Sequence, residues 1–168
     1  NYVKALRDCG LVVLQMEADE NYPDSVFIED IALLTPHFAV ITNPGAPSRR
    51  GETAGIREVL QGFYKDIFEI QPPGTLEAGD VMMAGNHYFI GLSERTNRKG
   101  AKQLIAFLNK YGLSGSTIAL QSLLHLKTGV SYLENNNMLI APEFKDAPIF
   151  DEYRLIEVPA EESYAANC

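Results

Sequence analysis

The segment Asp80-Val-Met-Met-Ala84, Gly85-Asn86, His87-Tyr-Phe-Ile-Gly91 contains two short apolar runs on either side of a two-residue turn. Gly-Asn tolerates the positive φ that two-residue hairpin turns require, so this stretch predicts an antiparallel hairpin. The same pattern begins at Asp30 and again at Gly129, so its three copies start 50 and 49 residues apart. Regular spacing of this kind predicts a repeated structural unit.

Each of the first two hairpins is followed by a polar loop, a stretch with helical periodicity and a short β-prone run. The predicted helices cover residues 52–64 and 97–111, and the β-prone runs cover residues 67–70 and 117–120. A helix over residues 2–9, followed by a β-prone run over residues 11–16, precedes the first hairpin. The sequence therefore predicts a ββαβ unit of about 50 residues.

Composition and charge indicate which kinds of partner and which cellular setting this chain has. The chain has 168 residues, of which 46% are hydrophobic and 21% charged, as in an ordinary globular domain. Its net charge of −8 disfavours nucleic acid and anionic membranes as partners and favours a cationic small molecule. No apolar run is long enough to span a bilayer. Two cysteines, Cys9 and Cys168, form no disulfide framework, which indicates a reducing, cytoplasmic setting.

Hairpins alternating with helices predict an α/β fold with mixed sheets rather than a doubly wound parallel sheet. A period of 50 residues divides the 168 residues into about 3.4 units, and such units could close radially like propeller blades. Because a closed ring needs more than three blades, we expect this chain to be part of a longer protein.

The segments before the hairpins carry the candidate chemistry. Acidic residues precede the first two hairpins and His125 precedes the third; the acidic residues are Asp24, Glu29, Asp30, Glu77 and Asp80. Strand alternation predicts Glu77 and Gly79 on one face and Asp80 on the other. His125, between two leucines on a predicted buried strand, needs a polar partner. The alternatives to a shared polar site are that Asp30 and Asp80 stabilise turns and that His125 is a hydrogen-bonded core histidine.

The loops after the first two hairpins carry Arg49 and Arg95 in matching places. Arginine near a helix start opposes the helix dipole, so it favours an anionic ligand such as a carboxylate, although a solvated surface arginine is the alternative. Carboxylates at one end and arginines at the other predict a site for an α-amino acid with a cationic side chain. His37, His87 and His125 lack zinc-motif spacing, and no nucleotide-binding glycine loop occurs, so we predict no metal and no cofactor.

Five segments together resemble one enzyme family over nearly the whole chain: residues 25–30, 44–50, 76–81, 91–97 and 124–127. They read Ser-Val-Phe-Ile-Glu-Asp, Pro-Gly-Ala-Pro-Ser-Arg-Arg, Leu-Glu-Ala-Gly-Asp-Val, Gly-Leu-Ser-Glu-Arg-Thr-Asn and Leu-His-Leu-Lys. In this order they resemble the dimethylarginine dimethylaminohydrolases of the guanidino-group-modifying, or pentein, superfamily. The resemblance implies a five-bladed ββαβ propeller with the substrate in its central channel, of which residues 1–168 would form a single partial domain of about three and a half blades.

The resemblance also implies roles for individual residues. His125 would be the general acid and base, and Glu77 would orient His125 and the guanidinium. Asp30 would pair with guanidinium nitrogens, Asp24 and Glu29 would line the substrate end, and Arg49 and Arg95 would bind the α-carboxylate. A cysteine thiolate would attack the guanidinium carbon of an N-methylated arginine, and citrulline and an alkylamine would be released through a thiouronium intermediate.

The nucleophile is the point at which this sequence departs from the family. There the cysteine lies in a Gly-Leu-Thr-Cys-like strand beyond the Ala-Ala-Asn-Cys-like segment that residues 165–168 resemble. We therefore expect that Cys168 is not the nucleophile, that Cys9 is structural and that this chain alone shows no turnover. Two alternatives stay open: an arginine deiminase-like or other guanidino or ureido hydrolase, and a non-catalytic module that binds arginine analogues. The sequence leaves the oligomeric state undetermined.

Overall fold

A computed structural model describes all residues from Asn1 to Cys168. Three small sheets of three strands each follow one another along the chain. The first holds β1 (Ala32–Leu34), β2 (Ala39–Ile41) and β3 (Ile67–Glu69); the second holds β4 (Val81–Ala84), β5 (His87–Leu92) and β6 (Ser114–Ala119); the third holds β7 (Val130–Tyr132), β8 (Asn137–Ile140) and β9 (Arg154–Glu157). The helices are α1 (Tyr2–Asp8), α2 (Ile56–Gln61) and α3 (Arg98–Asn109). None of them is both long and apolar enough to cross a membrane.

The three sheets share one topology. In each, the first strand pairs antiparallel with the second, and the second pairs parallel with the third. An antiparallel pair needs only a tight turn, whereas the parallel pair needs a crossover, which α2 and α3 provide in the first two units. The predicted α/β class, the mixed sheets and the repeated ββαβ unit are confirmed.

The turns that predicted the hairpins have the expected backbone geometry. Gly85 takes a positive φ of 60° between β4 and β5. In the third hairpin Glu134, Asn135 and Asn136 all have positive φ, from 49° to 66°. These positions explain why glycine and asparagine occur there, since few other residues adopt this backbone region cheaply.

Two predicted elements differ in the structure, and the third unit departs from the ββαβ pattern of the first two. The helix predicted over residues 52–64 is only α2, because residues 47–53 form a 3₁₀ helix and Gly55 then takes a φ of +79°. Residues 11–16 form no strand, since no neighbouring strand pairs with them. The third unit replaces its crossover helix with two short 3₁₀ turns, Pro142–Phe144 and Pro148–Phe150, each begun by a proline that fixes φ.

Successive units share their hydrophobic cores. One cluster joins Phe38 and Val40 of the first unit to Tyr88, Ile90 and the buried face of α3 in the second. Another joins Phe89 of the second unit to buried side chains of the third, which are Val130, Met138, Ile140, Phe144 and Phe150. Because burial of each large apolar side chain contributes about 1.5–3 kcal/mol, these shared clusters hold the units side by side.

A short 3₁₀ turn precedes the first strand of every sheet. These turns are Ile28–Ile31, Ala78–Asp80 and Leu126–Thr128. The middle turn contacts both of the others, and β4 contacts β7. Equivalent places in the three repeats therefore meet at one point, which matches a propeller-like arrangement of the units.

Candidate active site

The acidic residues and the histidine singled out in the sequence meet where the three turns meet. Asp30 lies within the first turn, Glu77 directly precedes the second, and His125 directly precedes the third. All three side chains are buried. Glu77 follows Asp30 by 47 positions, and His125 follows Glu77 by 48. The repeat thus brings distant residues into one cluster.

His125 presents one edge of its ring to two carboxylates. Its Nε2 lies 3.6 Å from Glu77 Oε2 and 3.8 Å from Asp30 Oδ1. Donor atoms of the three side chains all fall within 4.8 Å of one another. Two carboxylates and an imidazole at this separation can accept one cation between them, either a metal ion or a planar guanidinium. Histidine spacing alone, on which the prediction of no metal rests, does not reveal this mixed set of two carboxylates and one imidazole.

Glu77 is the most deeply buried member of the cluster. Its Oε1 accepts a hydrogen bond of 3.0 Å from the backbone N–H of Ala46, and Arg95 Nη1 lies 3.6 Å from the same oxygen. Its Oε2 is buried and has no hydrogen-bond partner. A buried carboxylate oxygen without a donor is costly, so its presence beside His125 indicates a place prepared for a donor from a ligand.

Asp30 is held from two sides. Its Oδ1 accepts from the backbone N–H of Gly79 at 3.0 Å, and its Oδ2 accepts from Arg49 Nη1 at 2.5 Å. Gly79 is required by this approach, because a Cβ there would lie 2.6 Å from Asp30 Oδ1 and 2.9 Å from His125 Cγ. The carboxylate therefore has a fixed position next to the imidazole.

Arg49 is buried in a network of its own. It bonds to both oxygens of Glu52 and to the carbonyls of Asp24 and Phe27, in addition to Asp30. Burial alone would lower the pKa of Arg49, but the bonds to Glu52 and Asp30 raise it overall, so the guanidinium stays charged. In this structure Arg49 organises Asp30, and its role in binding a substrate carboxylate stays a prediction.

Arg95 is more accessible than Arg49. Its side chain is 29% exposed, against 7% for Arg49, and its only close charged neighbour is Glu77. It lies in the loop between β5 and α3, where the Asn97 side chain caps the helix by accepting from the N–H groups of Lys99 and Gly100. Because the Arg95 guanidinium is partly exposed at the edge of a buried acidic cluster, it can bind an anionic group of a ligand.

The charge of His125 is governed by its surroundings. Burial alone would lower its pKa, but the adjacent carboxylates of Asp80, Asp30 and Glu77 outweigh burial and raise the pKa above its usual 6.5. The carboxylates thus favour the protonated imidazole, which suits a group that donates a proton.

The other two predicted substrate-binding acids lie at the rim rather than in the buried cluster. Asp24 is exposed and contributes its backbone carbonyl to Arg49. Glu29 is exposed and pairs with Lys127. Glu29 and Lys127 line a cavity of about 500 Å³ together with Cys168 and residues of β1, β4 and β7.

Asp80 was placed on the wrong face by strand alternation. Residues 78–80 form a 3₁₀ turn, in which residues three apart lie on the same side, so Glu77 and Asp80 both face His125. Glu52, the buried partner of Arg49, was also missed. In both cases the three-residue spacing from a neighbouring charged residue was the available signal.

Neither cysteine lies in the cluster. Cys9 is exposed at the C-terminal cap of α1, so it does not contribute to the core, and Cys168 is exposed with its backbone N–H bound to Ser131 Oγ at 3.2 Å.

Known proteins match both the sequence and the fold. The sequence pattern of the family "N,N dimethylarginine dimethylhydrolase, eukaryotic" matches residues 1–145. An N(G),N(G)-dimethylarginine dimethylaminohydrolase from Pseudomonas aeruginosa is 55% identical over 168 residues, which is 99% of this chain and 66% of that protein. The chain spans 62–66% of the length of this protein and of two further relatives, from Aeropyrum pernix and Streptomyces coelicolor.

A solved structure of the Pseudomonas aeruginosa enzyme, a cysteine-to-serine mutant complexed with citrulline, superposes with a TM-score of 0.94 at 54% identity. It is matched over 99% of this chain and 66% of its own length. An amidinotransferase from Microseira wollei, at 17% identity, shares the fold with a TM-score of 0.78 over 94% of this chain and 59% of its own. The α/β pentein fold expected from the sequence is confirmed. Sequence pattern, identity and fold thus agree, and the chain belongs to the dimethylarginine dimethylaminohydrolase family.

Proposed function

We propose that this chain binds the guanidinium of an N-methylated L-arginine and supplies the acid and base for its hydrolysis to citrulline and an alkylamine. The observation that carries the proposal is the unpartnered, fully buried Oε2 of Glu77 beside Asp30 and His125. A guanidinium is a flat cation with several N–H donors, so it can satisfy two carboxylates at once. The relative's structure with citrulline supports the same product.

The carboxylates prepare the substrate for attack. Glu77 and Asp30 would hold guanidinium nitrogens and localise the positive charge, which makes the central carbon more electrophilic. A cysteine thiolate then forms a bond to this carbon, and the bond from carbon to the methylated nitrogen breaks. We assign no residue of this chain to that thiolate.

His125 would move the proton in both halves of the reaction. As an imidazolium it protonates the departing nitrogen, so that the amine leaves neutral. The neutral imidazole then takes a proton from the water that attacks the thiouronium carbon. The carbon–sulfur bond breaks, and citrulline and the thiolate are released. The raised pKa of His125 supports its starting in the protonated form.

The rim would recognise the amino-acid end of the substrate. Arg95 is the better placed of the two arginines for the α-carboxylate, since its side chain is partly exposed. Arg49 would contribute mainly by holding Asp30, and Asp24 and Glu29 would line the entrance.

The two free cysteines support a reducing, cytoplasmic setting.

A substrate panel on the product of the whole gene that encodes this chain tests the proposal. We expect citrulline and dimethylamine from dimethylarginine with the highest kcat/KM of the panel, and a preference for unmethylated arginine would contradict the assignment. His125→Gln should lower kcat by about 10²–10⁴-fold. His37→Gln, at an exposed hairpin turn, is the matched control and should keep full activity.

A further inference from the structure

Asp80 is a buried charge that the proposed chemistry does not use. Its side chain is fully buried, yet it is well supplied with donors. Its Oδ2 accepts from Ser93 Oγ at 2.7 Å, and its Oδ1 accepts from the backbone N–H of Leu126 at 3.0 Å. A buried carboxylate is tolerated when it is bonded in this way, and the two bonds fix its orientation.

The same Oδ1 also faces the imidazole. His125 Nδ1 is buried and forms no hydrogen bond in the structure, but it lies 3.4 Å from Asp80 Oδ1, so this carboxylate faces the nitrogen at the edge of hydrogen-bonding distance. The opposite nitrogen, Nε2, faces Glu77 and Asp30. Because a carboxylate accepts and does not donate, it favours a proton on the nitrogen that faces it.

Asp80 is also connected, through Ser93, to the loop between β5 and α3 that carries Arg95. Ser93 Oγ, which donates to Asp80, accepts from the backbone N–H groups of Arg95 and Thr96 at 3.0 and 3.1 Å. Thr96 Oγ1 in turn accepts from the backbone N–H of Glu77 at 3.1 Å. One carboxylate thus ties the segment that begins at His125 to the loop that carries Arg95.

We propose that Asp80 is a positioning residue that holds the neutral imidazole of His125 as its Nδ1–H tautomer and anchors the loop of Arg95. Nε2 is then the nitrogen left to exchange a proton on the side of Glu77 and Asp30. The proposal rests on the proposed function only for the reaction that His125 serves. The tautomer and the loop geometry are properties of the chain itself.

The charged groups around the imidazole do not remove this preference. Asp30 and Glu77 face Nε2, and each has an arginine beside its other oxygen: Arg49 pairs with Asp30 Oδ2, and Arg95 Nη1 lies 3.6 Å from Glu77 Oε1. Lys127, two residues after His125, is paired with Glu29. No lysine or arginine pairs with Asp80, so no cationic side chain offsets its charge next to Nδ1.

Long-range proton–nitrogen NMR of the ¹⁵N-labelled chain tests the tautomer directly. In the wild-type chain above the pKa of His125, we expect the Nδ1–H form to predominate. Asp80→Asn should shift the population toward the Nε2–H form and lower the pKa of His125, because the amide carries no charge. Asp146→Asn, at an exposed aspartate, is the matched control and should change neither.

The wild-type measurement decides the proposal even if Asp80→Asn does not fold. Predominance of the Nε2–H form in the wild-type chain would overturn it. Ser93→Ala gives an independent check on the loop, since it should shift the amide resonances of Arg95 and Thr96 while Asp80 remains, and unchanged resonances would contradict the anchor. A wild-type Nδ1–H tautomer without dimethylarginine hydrolysis by the whole gene product would overturn the proposed function alone.

Discussion

At the scale of single residues, the cluster depends on close approaches that leave no spare volume. Gly79 donates its N–H to Asp30 and stands against the His125 ring, where a methyl group has no room. The repeat allowed Asp30, Glu77 and His125 to be predicted as site residues, because equivalent places in its three copies carry polar groups. It did not predict that Asp80 faces His125. Alternation applies to strands, whereas a 3₁₀ turn brings residues three apart to the same side.

Gly79→Ala should therefore destabilise the chain and distort the cluster. We expect a loss of about 1–3 kcal/mol in the free energy of unfolding, since the added Cβ forces Asp30 and His125 apart. Urea denaturation measures it. Gly62→Ala is the matched control, because Gly62 has a helical φ of −70° and its added Cβ would approach only the Val59 carbonyl, at 3.3 Å. A loss at Gly62 equal to that at Gly79 would contradict this explanation.

His125 should make stability depend on pH in a defined direction. Its pKa in the folded chain is raised above 6.5, so its protonated form stabilises the fold fully below pH 6.5. That contribution is lost as the pH rises from 6.5 through the raised pKa of the folded state. Urea denaturation across this window should show wild type losing stability relative to His125→Gln. A gain in the stability of wild type relative to His125→Gln as the pH rises would contradict this prediction.

At the scale of elements, the cap of α3 connects the helix to the Arg95 loop. Asn97 ends that loop and accepts from the N–H groups of Lys99 and Gly100 at 3.0 and 2.9 Å. The sequence predicted this helix over residues 97–111, within one residue of its start and two of its end, because its apolar spacing is regular. It misjudged α2, because the glycines at 51 and 55 interrupt a periodic pattern, and residues 11–16, because a strand needs a partner that periodicity does not reveal.

Asn97→Ala should cost about 0.5–2 kcal/mol of stability, since two N–H groups at the start of α3 lose their acceptor. The midpoint of thermal or urea unfolding measures the loss. Asn109→Ala, at the exposed last residue of the same helix, is the control and should be nearly neutral. Equal effects at the two positions would mean that the cap is not what stabilises α3.

At the scale of the whole molecule, the repeat explains both fold and site. Three units of one topology pack side by side through shared clusters, and the turns before their first strands converge. A cationic ligand is favoured there by two buried carboxylates and by the overall charge of −8. The period of the hairpins predicted this convergence. The hydrogen bonds of Arg49 could not be predicted in this way, because its partners lie between residues 24 and 52, on both sides of the first hairpin.

In the proposed function, Glu77, Asp30 and His125 together receive a guanidinium. Isothermal titration calorimetry of dimethylarginine into this chain tests it most directly, with wild type, Glu77→Gln and the exposed control Glu58→Gln compared at one pH. We predict saturable binding to wild type and to the control, and at least about tenfold weaker binding to Glu77→Gln, a loss of about 1.4 kcal/mol. Equal affinity of all three proteins for dimethylarginine, or binding of lysine as tight as that of dimethylarginine, would contradict the account.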